Sequence, residues 1–205
     1  MKVIKYFGYT VILFIVLSVL FVLYAPVFGG RPSLESLQRI ETSQNFVEGK
    51  FVNQIATSVM TRSPNSESSI LDWIFQEDDK NPTKPLPSIR FDSDQLTEGK
   101  FAWLGHSTLL MKTNDVVIMT DPVFHRASPV PVMGSSFPIQ HPISIDDLPT
   151  VDAVIISHDH YDHLDHRAIR VLSKGVDRFF VPLGVKAHLE RWGVASEKIS
   201  ELDWY

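Results

Sequence analysis

The stretch VDAVIISHDHYDHLDHRAIRVLSKG, residues 151–175, decides the fold. It opens with an apolar, mostly β-branched run from Ala153 to Ile156, which is typical of a strand buried on both faces. Apolar residues at helical spacing begin at Leu164, and Gly175 predicts where that helix stops. The stretch therefore predicts a strand, a polar loop and a helix in succession, which is one unit of an α/β fold.

The segments on either side continue this alternation. Three strands are predicted upstream, at Phe101–Leu104, Thr108–Lys112 and Val116–Thr120, with Asn114-Asp115 as a tight turn between the last two. Downstream, a strand, a short helix and a further strand are predicted at RFFVP, LGVKAHLERWG and ISELDW, residues 178–182, 183–193 and 199–204. Short strands that alternate with short helices predict the α/β class for residues 101–205.

Composition excludes several classes of protein. The chain has 205 residues, no cysteine and a formal net charge of −5. Without cysteine there is no disulfide scaffold, thiolate zinc finger or cysteine nucleophile. An acidic chain with no basic run gives no reason to expect nucleic acid as a partner. Any metal site must use histidine, carboxylate and water, and the oligomeric state is left unknown.

The N-terminal segment predicts contact with a membrane. Tyr6–Phe28 carries no charged side chain and follows Lys2 and Lys5. As a helix it would be about 34 Å long, enough to cross a hydrocarbon core of about 30 Å. We predict a single-pass anchor within residues 1–30 that contacts the membrane through residues 6–28; a cleaved signal segment and a buried core helix are the alternatives. The slight basic excess before the span predicts a globular part outside the cytoplasm.

Residues 31–100 predict an extended connector with short helices. A helix is predicted over Ser33–Gln44, with Ser33 as its cap. The text from Ser63 to Phe91 is rich in Pro, Ser, Asn and Asp, which favours extended chain, and its apolar cluster at Ile70–Phe75 is the expected attachment point.

The loop after the buried strand carries the order His-x-His-x-Asp-His, from His158 to His163. On an irregular turn the alternate residues His158 and His160 can share one cation, and Asp162 with His163 can face a second. Imidazole and carboxylate without sulfur suit zinc, or iron or manganese. Two metal ions would lower the pKa of a bridging water to roughly 7 and would stabilise both oxygens of a hydrolytic displacement.

The position of this loop supports a site. It follows the carboxyl end of a predicted strand, where α/β sheets usually hold their ligands. Three histidines and an aspartate at these offsets therefore predict metal binding rather than a merely polar loop. The other histidines outside the first hairpin lie alone in loops or on helix faces and are predicted to be solvated: His125, His141, His166 and His188.

The His-x-His-x-Asp-His order resembles the signature of the metallo-β-lactamase fold superfamily, whose members are αββα sandwiches that bind two metal ions at one edge. Further stretches resemble the N-acylphosphatidylethanolamine-hydrolysing phospholipase D family. They are WLGHSTLLM, TDPVF followed by RASP, MGSSF, DLPTVDAVIISHDHYDHLD, FFVPLGVK and ELDW. The likeness runs from Phe101 to Tyr205, with a weaker echo at GKFVN, residues 49–53.

The resemblance implies roles for residues of the loop. His158 and His160 would bind the first metal, and Asp162 and His163 the second. Asp162 would also take part in catalysis. Two zinc ions are expected in a complete site, with iron or manganese as possible substitutes.

Two upstream residues match family positions near the metals. The resemblance places Asp121, at the end of the IMTD strand, and His106, in GHST, behind the ligands as supporting residues. Asp121 could instead cap the turn at Pro122, and His106 could be a strand-end histidine satisfied by backbone. The residues alone leave these alternatives open.

The resemblance also indicates missing parts. Such a site needs a later histidine, a bridging aspartate and a last histidine, but only His166 and His188 follow His163, both on predicted helices. We therefore expect the N-terminal half of an αββα sandwich, preceded by a membrane-spanning helix. Residues 101–205 would be an incomplete domain that, as a fragment, binds metal weakly, is inactive and exposes sheet surface.

The leading functional prediction is a zinc-dependent hydrolase, active as the full-length protein. It would cleave the phosphodiester of a phospholipid such as an N-acylphosphatidylethanolamine by metal-activated hydroxide. One alternative is a hydrolase of the same fold that acts on a soluble lactone or cyclic phosphodiester. The other is a noncatalytic anchored remnant. The long loop Val123–Pro149 mixes Val130, Val132 and Met133 with serines and favours neither substrate class.

Overall fold

The computed structural model of the chain describes residues 2–55, 82–130 and 134–204. The predicted Ile70–Phe75 attachment point lies outside these ranges, as do Val132 and Met133 of the long loop. The described helices are α1 Lys2–Tyr24, α2 Leu34–Thr42, α3 His166–Leu172 and α4 Lys186–Arg191. The described strands are β1 Phe46–Val47, β2 Lys50–Phe51, β3 Phe101–Gly105, β4 Thr108–Thr113, β5 Val116–Thr120, β6 Ala153–Ile155, β7 Arg178–Pro182 and β8 Ile199–Leu202.

One mixed sheet contains β3 to β8 in chain order. Strands β3, β4 and β5 are antiparallel neighbours, whereas β5 to β8 pair in parallel. Strand β3 therefore runs in the same direction as β5 to β8, and the carboxyl ends of these five strands lie at one edge of the sheet. The predicted α/β class is confirmed.

The core lies on one face of this sheet. Strand register places Leu110, Met119, Val154 and Phe179 side by side, and all four are fully buried. Apolar residues of α3 and α4 belong to the same cluster. Ile155 points to the opposite face and is 41% exposed. The prediction of a strand buried on both faces holds for Ala153, Val154 and Ile156 but is wrong for Ile155.

The predicted turns and caps explain where the elements begin and end. Asn114 and Asp115 both have positive φ, 49° and 58°, as a two-residue hairpin turn requires. The Asp165 carboxylate accepts hydrogen bonds from the backbone N–H groups of Arg167 and Ala168, which caps the start of α3. The hairpin and the helix were both predicted from the sequence, and both are confirmed.

The segment before the sheet packs against β8. The Ser33 side chain caps α2, as predicted, and Ser36 Oγ donates a hydrogen bond to the buried Glu201 carboxylate. The hairpin of β1 and β2 is not among the predicted elements. Its strands have two residues each, too few for a periodic pattern, and its Phe46 and Phe51 rings contact each other at 5.1 Å.

Helix α1 contains the apolar segment predicted for the N-terminus up to Tyr24 and ends before Phe28. The window Lys5–Tyr24 has a mean hydropathy of 2.5 and is unburied among the described residues. Its length and composition suit a membrane span. A signal sequence, or a helix covered by another part of the protein, would pass the same test.

Replacement of Phe179 by alanine tests the location of the core. We expect Phe179→Ala to lower the free energy of unfolding by about 3–5 kcal/mol, since it leaves a cavity in the centre of the buried face. The matched control is Phe101→Ala, because Phe101 is 72% exposed; its cost should stay below about 0.5 kcal/mol. Urea unfolding of both variants in detergent measures the difference. Equal costs would contradict this core.

Candidate metal centre

The candidate ligands gather where strands of like direction end. His106 follows β3, Asp121 follows β5, and the segment Ser157–His163 follows β6. These strand ends share one edge of the sheet, so residues distant in sequence come together there.

Backbone conformation directs two of these side chains toward the loop. His106 has φ 44° and Asp121 has φ 42°, the left-handed region that few non-glycine residues adopt. The Asp121 turn is held from β4, because Thr108 Oγ1 donates to the Asp121 carbonyl and accepts from Val123 N. Such strained residues often mark functional sites, since the surrounding structure must hold them in place.

The Asp121 carboxylate is buried and supports the loop after β6. It accepts hydrogen bonds from Ser157 N and Ser157 Oγ, both at 2.7 Å, and lies 2.9 Å from His163 Nδ1. These contacts join the Asp121 carboxylate to the loop that carries the candidate ligands, as expected of a supporting residue. Ser157 is a functional candidate that no sequence pattern indicated.

His163 is oriented for ligation by this contact. With its Nδ1 facing Asp121, its Nε2 points toward Asp162 Oδ2, 3.8 Å away. A histidine that gives one ring nitrogen to a carboxylate and the other to the metal is the usual arrangement in metal sites. Asp121 therefore sets both the tautomer and the direction of the His163 ring.

His106 joins the same group. Its Nε2 lies 3.0 Å from Asp162 Oδ2, so the expectation that backbone satisfies this ring is wrong. Ligand atoms of His106, Asp162 and His163 all lie within 4.8 Å of one another. Donors around a tetrahedral zinc at about 2.1 Å lie about 3.4 Å apart, so this group is a candidate to hold a metal ion. The structure thus brings His106 among the candidate ligands, whereas the resemblance placed it behind them.

His158 and His160 lie beside this group. The His158 ring centroid is 4.6 Å from that of His160 and 4.0 Å from that of His163. Ser157 Oγ donates its proton to Asp121. In its contact of 3.0 Å with His158 Nδ1, Ser157 Oγ is therefore the acceptor and Nδ1 carries the proton. The neutral His158 ring then has an unprotonated Nε2. Their ligation of a metal stays a prediction.

Ionisation in the loop suits metal binding. Burial lowers the pKa of His158, and the nearby His163 and His160 rings lower it further. For Asp162, burial would raise the pKa, but hydrogen bonds from His106 and the backbone outweigh it and hold the carboxyl pKa below its usual value. Neutral imidazole and ionised carboxylate are the forms that bind metal.

Three of the four histidines predicted to be solvated have protein partners, so that prediction is wrong for them. His125 Nδ1 lies 2.8 Å from Asp165. The His166 ring lies against Trp192, with centroids 5.1 Å apart, and its Nε2 is buried without a partner in the described structure. His188 accepts from Gly30 N; His141 is exposed, as predicted. These partners are far away in sequence and leave no local pattern.

Two of the cavities beside the loop have candidate site residues in their walls. One of about 430 Å³ is lined by His158 and by apolar residues that include Leu183, Leu202 and Trp204. The other, of about 390 Å³, includes Asp162 in its wall. A larger cavity of about 720 Å³ has none of the six predicted site residues in its lining, so size alone would select the wrong place.

Replacement of Asp121 tests its proposed support of His163. Asp121→Asn keeps the size of the side chain but removes the charge that orients the ring. We expect zinc affinity to fall about 10–100-fold, measured by titration against a competing chelator. The control is Asp115→Asn, whose native side chain is 96% exposed. The same loss in both variants, or in neither, would refute this role.

The geometry agrees with a comparison against known families and proteins. Residues 117–205 match the family model described as Beta-lactamase superfamily domain. An uncharacterized protein of Mycobacterium tuberculosis is 40% identical over 174 residues, 80% of this chain and 45% of that protein. N-acyl-phosphatidylethanolamine-hydrolyzing phospholipase D 1 of Caenorhabditis elegans is 37% identical over 129 residues, 60% of this chain and 36% of that enzyme.

The chain thus spans less than half the length of these curated relatives. Among solved structures, the isothiocyanate hydrolase from Delia radicum gut bacteria superposes with a TM-score of 0.38 at 24% identity, over 50% of this chain and 41% of that one. That similarity is too low to bear on function. The matched domain and the identity to the relatives support membership of the metallo-β-lactamase superfamily.

Proposed function

We propose that the protein carrying this chain is a metal-dependent hydrolase that cleaves the phosphodiester of a phospholipid and releases phosphatidic acid. The observation that carries the proposal is the grouping of His106, Asp162 and His163 beside the buried Asp121 carboxylate. These residues would hold zinc, with His158 and His160 proposed for a second ion.

The residues of the chain have distinct parts in this proposal. Zinc bound there would supply a Lewis acid and a water that ionises near neutral pH. Asp121 holds the His163 ring in one tautomer. Without zinc, the contact of 3.0 Å between His106 Nε2 and Asp162 Oδ2 holds that carboxylate at the cavity wall. With zinc bound to these two atoms, the other Asp162 oxygen would accept a proton from the reacting water.

Three observations support a phospholipid as the substrate. Helix α1 is long and apolar enough to keep the protein in a membrane, where such a substrate lies. The cavity beside His158 has walls of Phe51, Leu202 and Trp204, which suit an acyl chain. A relative that is 37% identical is named as hydrolysing N-acyl-phosphatidylethanolamine.

The test is turnover by the whole protein in mixed micelles. Zinc-loaded protein should release phosphatidic acid from an N-acylphosphatidylethanolamine. His163→Ala should reduce the rate by more than about 100-fold, because it removes a proposed ligand. His141→Ala, at an exposed histidine outside the group, should keep the rate.

Two results would contradict the proposal. Opening of a lactone without release of phosphatidic acid would indicate a soluble substrate. A noncatalytic protein would turn over neither the phospholipid nor the lactone. It would hold less than one tightly bound metal per chain, and His158→Ala would not change that metal content.

A further inference from the structure

The segment between α1 and α2 is bonded to α4. We call residues Tyr24–Gly30 the exit segment, because the chain leaves α1 there. Arg191 donates hydrogen bonds to the carbonyls of Tyr24, at 3.1 Å, and Gly29, at 2.6 Å. Trp192 Nε1 donates to the Pro26 carbonyl at 2.7 Å. Gly30 N donates a fourth bond, to the His188 ring, at 3.0 Å. Together the four bonds connect the exit segment to α4 and its C-terminal cap.

These bonds meet a need of the helix end. The last carbonyls of a helix have no partner within it and carry partial negative charge. Arg191 supplies both a donor and a positive charge to the Tyr24 carbonyl.

Two glycines allow the close approach. Gly29 is buried with φ 69°, and a Cβ there would collide with the His188 ring. A Cβ at Gly30 would collide with the Ala187 carbonyl. The exit segment is therefore built into the domain rather than being a free linker.

The exit segment borders the candidate metal centre. The 390 Å³ cavity has Val27 and Phe28 on one wall and His160 and Asp162 on another. His188, which accepts from Gly30 N, also has its Nε2 3.6 Å from the Asp159 carboxylate. The His188 ring thus contacts both the exit segment, which follows α1, and the ligand loop.

Two arginine residues lie near the same end of α1. A cavity of about 490 Å³ is lined by Phe21 and Pro26 of the helix end and by Arg126 and Arg167. Both arginine residues are exposed. Arginines next to an apolar span can contact the anionic headgroups of lipids.

We propose that the exit segment fixes the metal-binding edge of the sheet on the bilayer surface, with Arg126 and Arg167 in contact with the phosphates of anionic phospholipids. The cavity beside Asp162 then opens at the lipid surface. This inference rests on the membrane location in the proposed function. It differs from simple tethering, in which a flexible linker would let the domain turn any edge to the membrane.

The absence of cysteine makes the orientation measurable, since a single introduced cysteine carries the only label. The full chain is reconstituted in vesicles of phosphatidylcholine and phosphatidylglycerol. A fluorophore is attached at Ser128→Cys, which lines the 490 Å³ cavity, or at Asp115→Cys, in the turn at the opposite edge. Strand β5 separates the edges by about 17 Å. Headgroup nitroxides should quench the label at 128 strongly and the label at 115 weakly.

Equal quenching at both positions would overturn the inference, as would strong quenching at 115 alone. Gly29→Val, introduced into both labelled chains, should abolish the difference in quenching between 128 and 115 while the chains still float with vesicles. Gly8→Val is the matched control, because a Cβ at Gly8 meets no neighbour, and it should preserve the quenching. Should Gly29→Val fail to fold, Trp192→Phe, which loses only the donor to Pro26, should reduce the difference.

These outcomes are separate from turnover. Normal quenching without release of phosphatidic acid would refute the proposed hydrolase and leave the orientation supported. A chain that does not float with vesicles would refute the membrane location, and the orientation with it.

Discussion

The contact between Asp121 and His163 is the constraint on which the site depends. It joins the turn after β5 to the loop after β6, across 42 positions of sequence. A buried carboxylate is costly unless it is hydrogen-bonded, and Asp121 is satisfied only when Ser157 and His163 take these places. The same bond leaves His163 Nε2 free toward Asp162. The contacts that satisfy Asp121 at this edge of the sheet therefore also orient the His163 ring.

A second set of contacts connects this edge to the N-terminal helix. The His188 side chain of α4 contacts Gly30 of the exit segment on one side and Asp159 of the ligand loop on the other. The hydrogen bonds from Arg191 hold the exit segment against α4 beside these contacts. An enzyme that must take a lipid from a bilayer would benefit from such a fixed placement, because its substrate does not diffuse freely in water.

Much of this was predictable from local pattern. The strand at Ala153, the Asn114-Asp115 turn and the Ser33 cap have signatures within a few residues, and the structure confirms them. The contacts of His106 and His188 do not, because their partners lie far along the chain and only the order of strands brings them near. Sequence could thus identify the edge that carries the site but not every side chain that shapes it.

The central claim is that His163 and Asp162 bind a metal ion, with Asp121 behind them. Anomalous diffraction at the zinc edge, from crystals of the zinc-loaded protein, tests it most directly. The account predicts a peak about 2.0–2.2 Å from His163 Nε2 and from an Asp162 carboxylate oxygen. Zinc bound elsewhere, with no peak between these two residues, would contradict it.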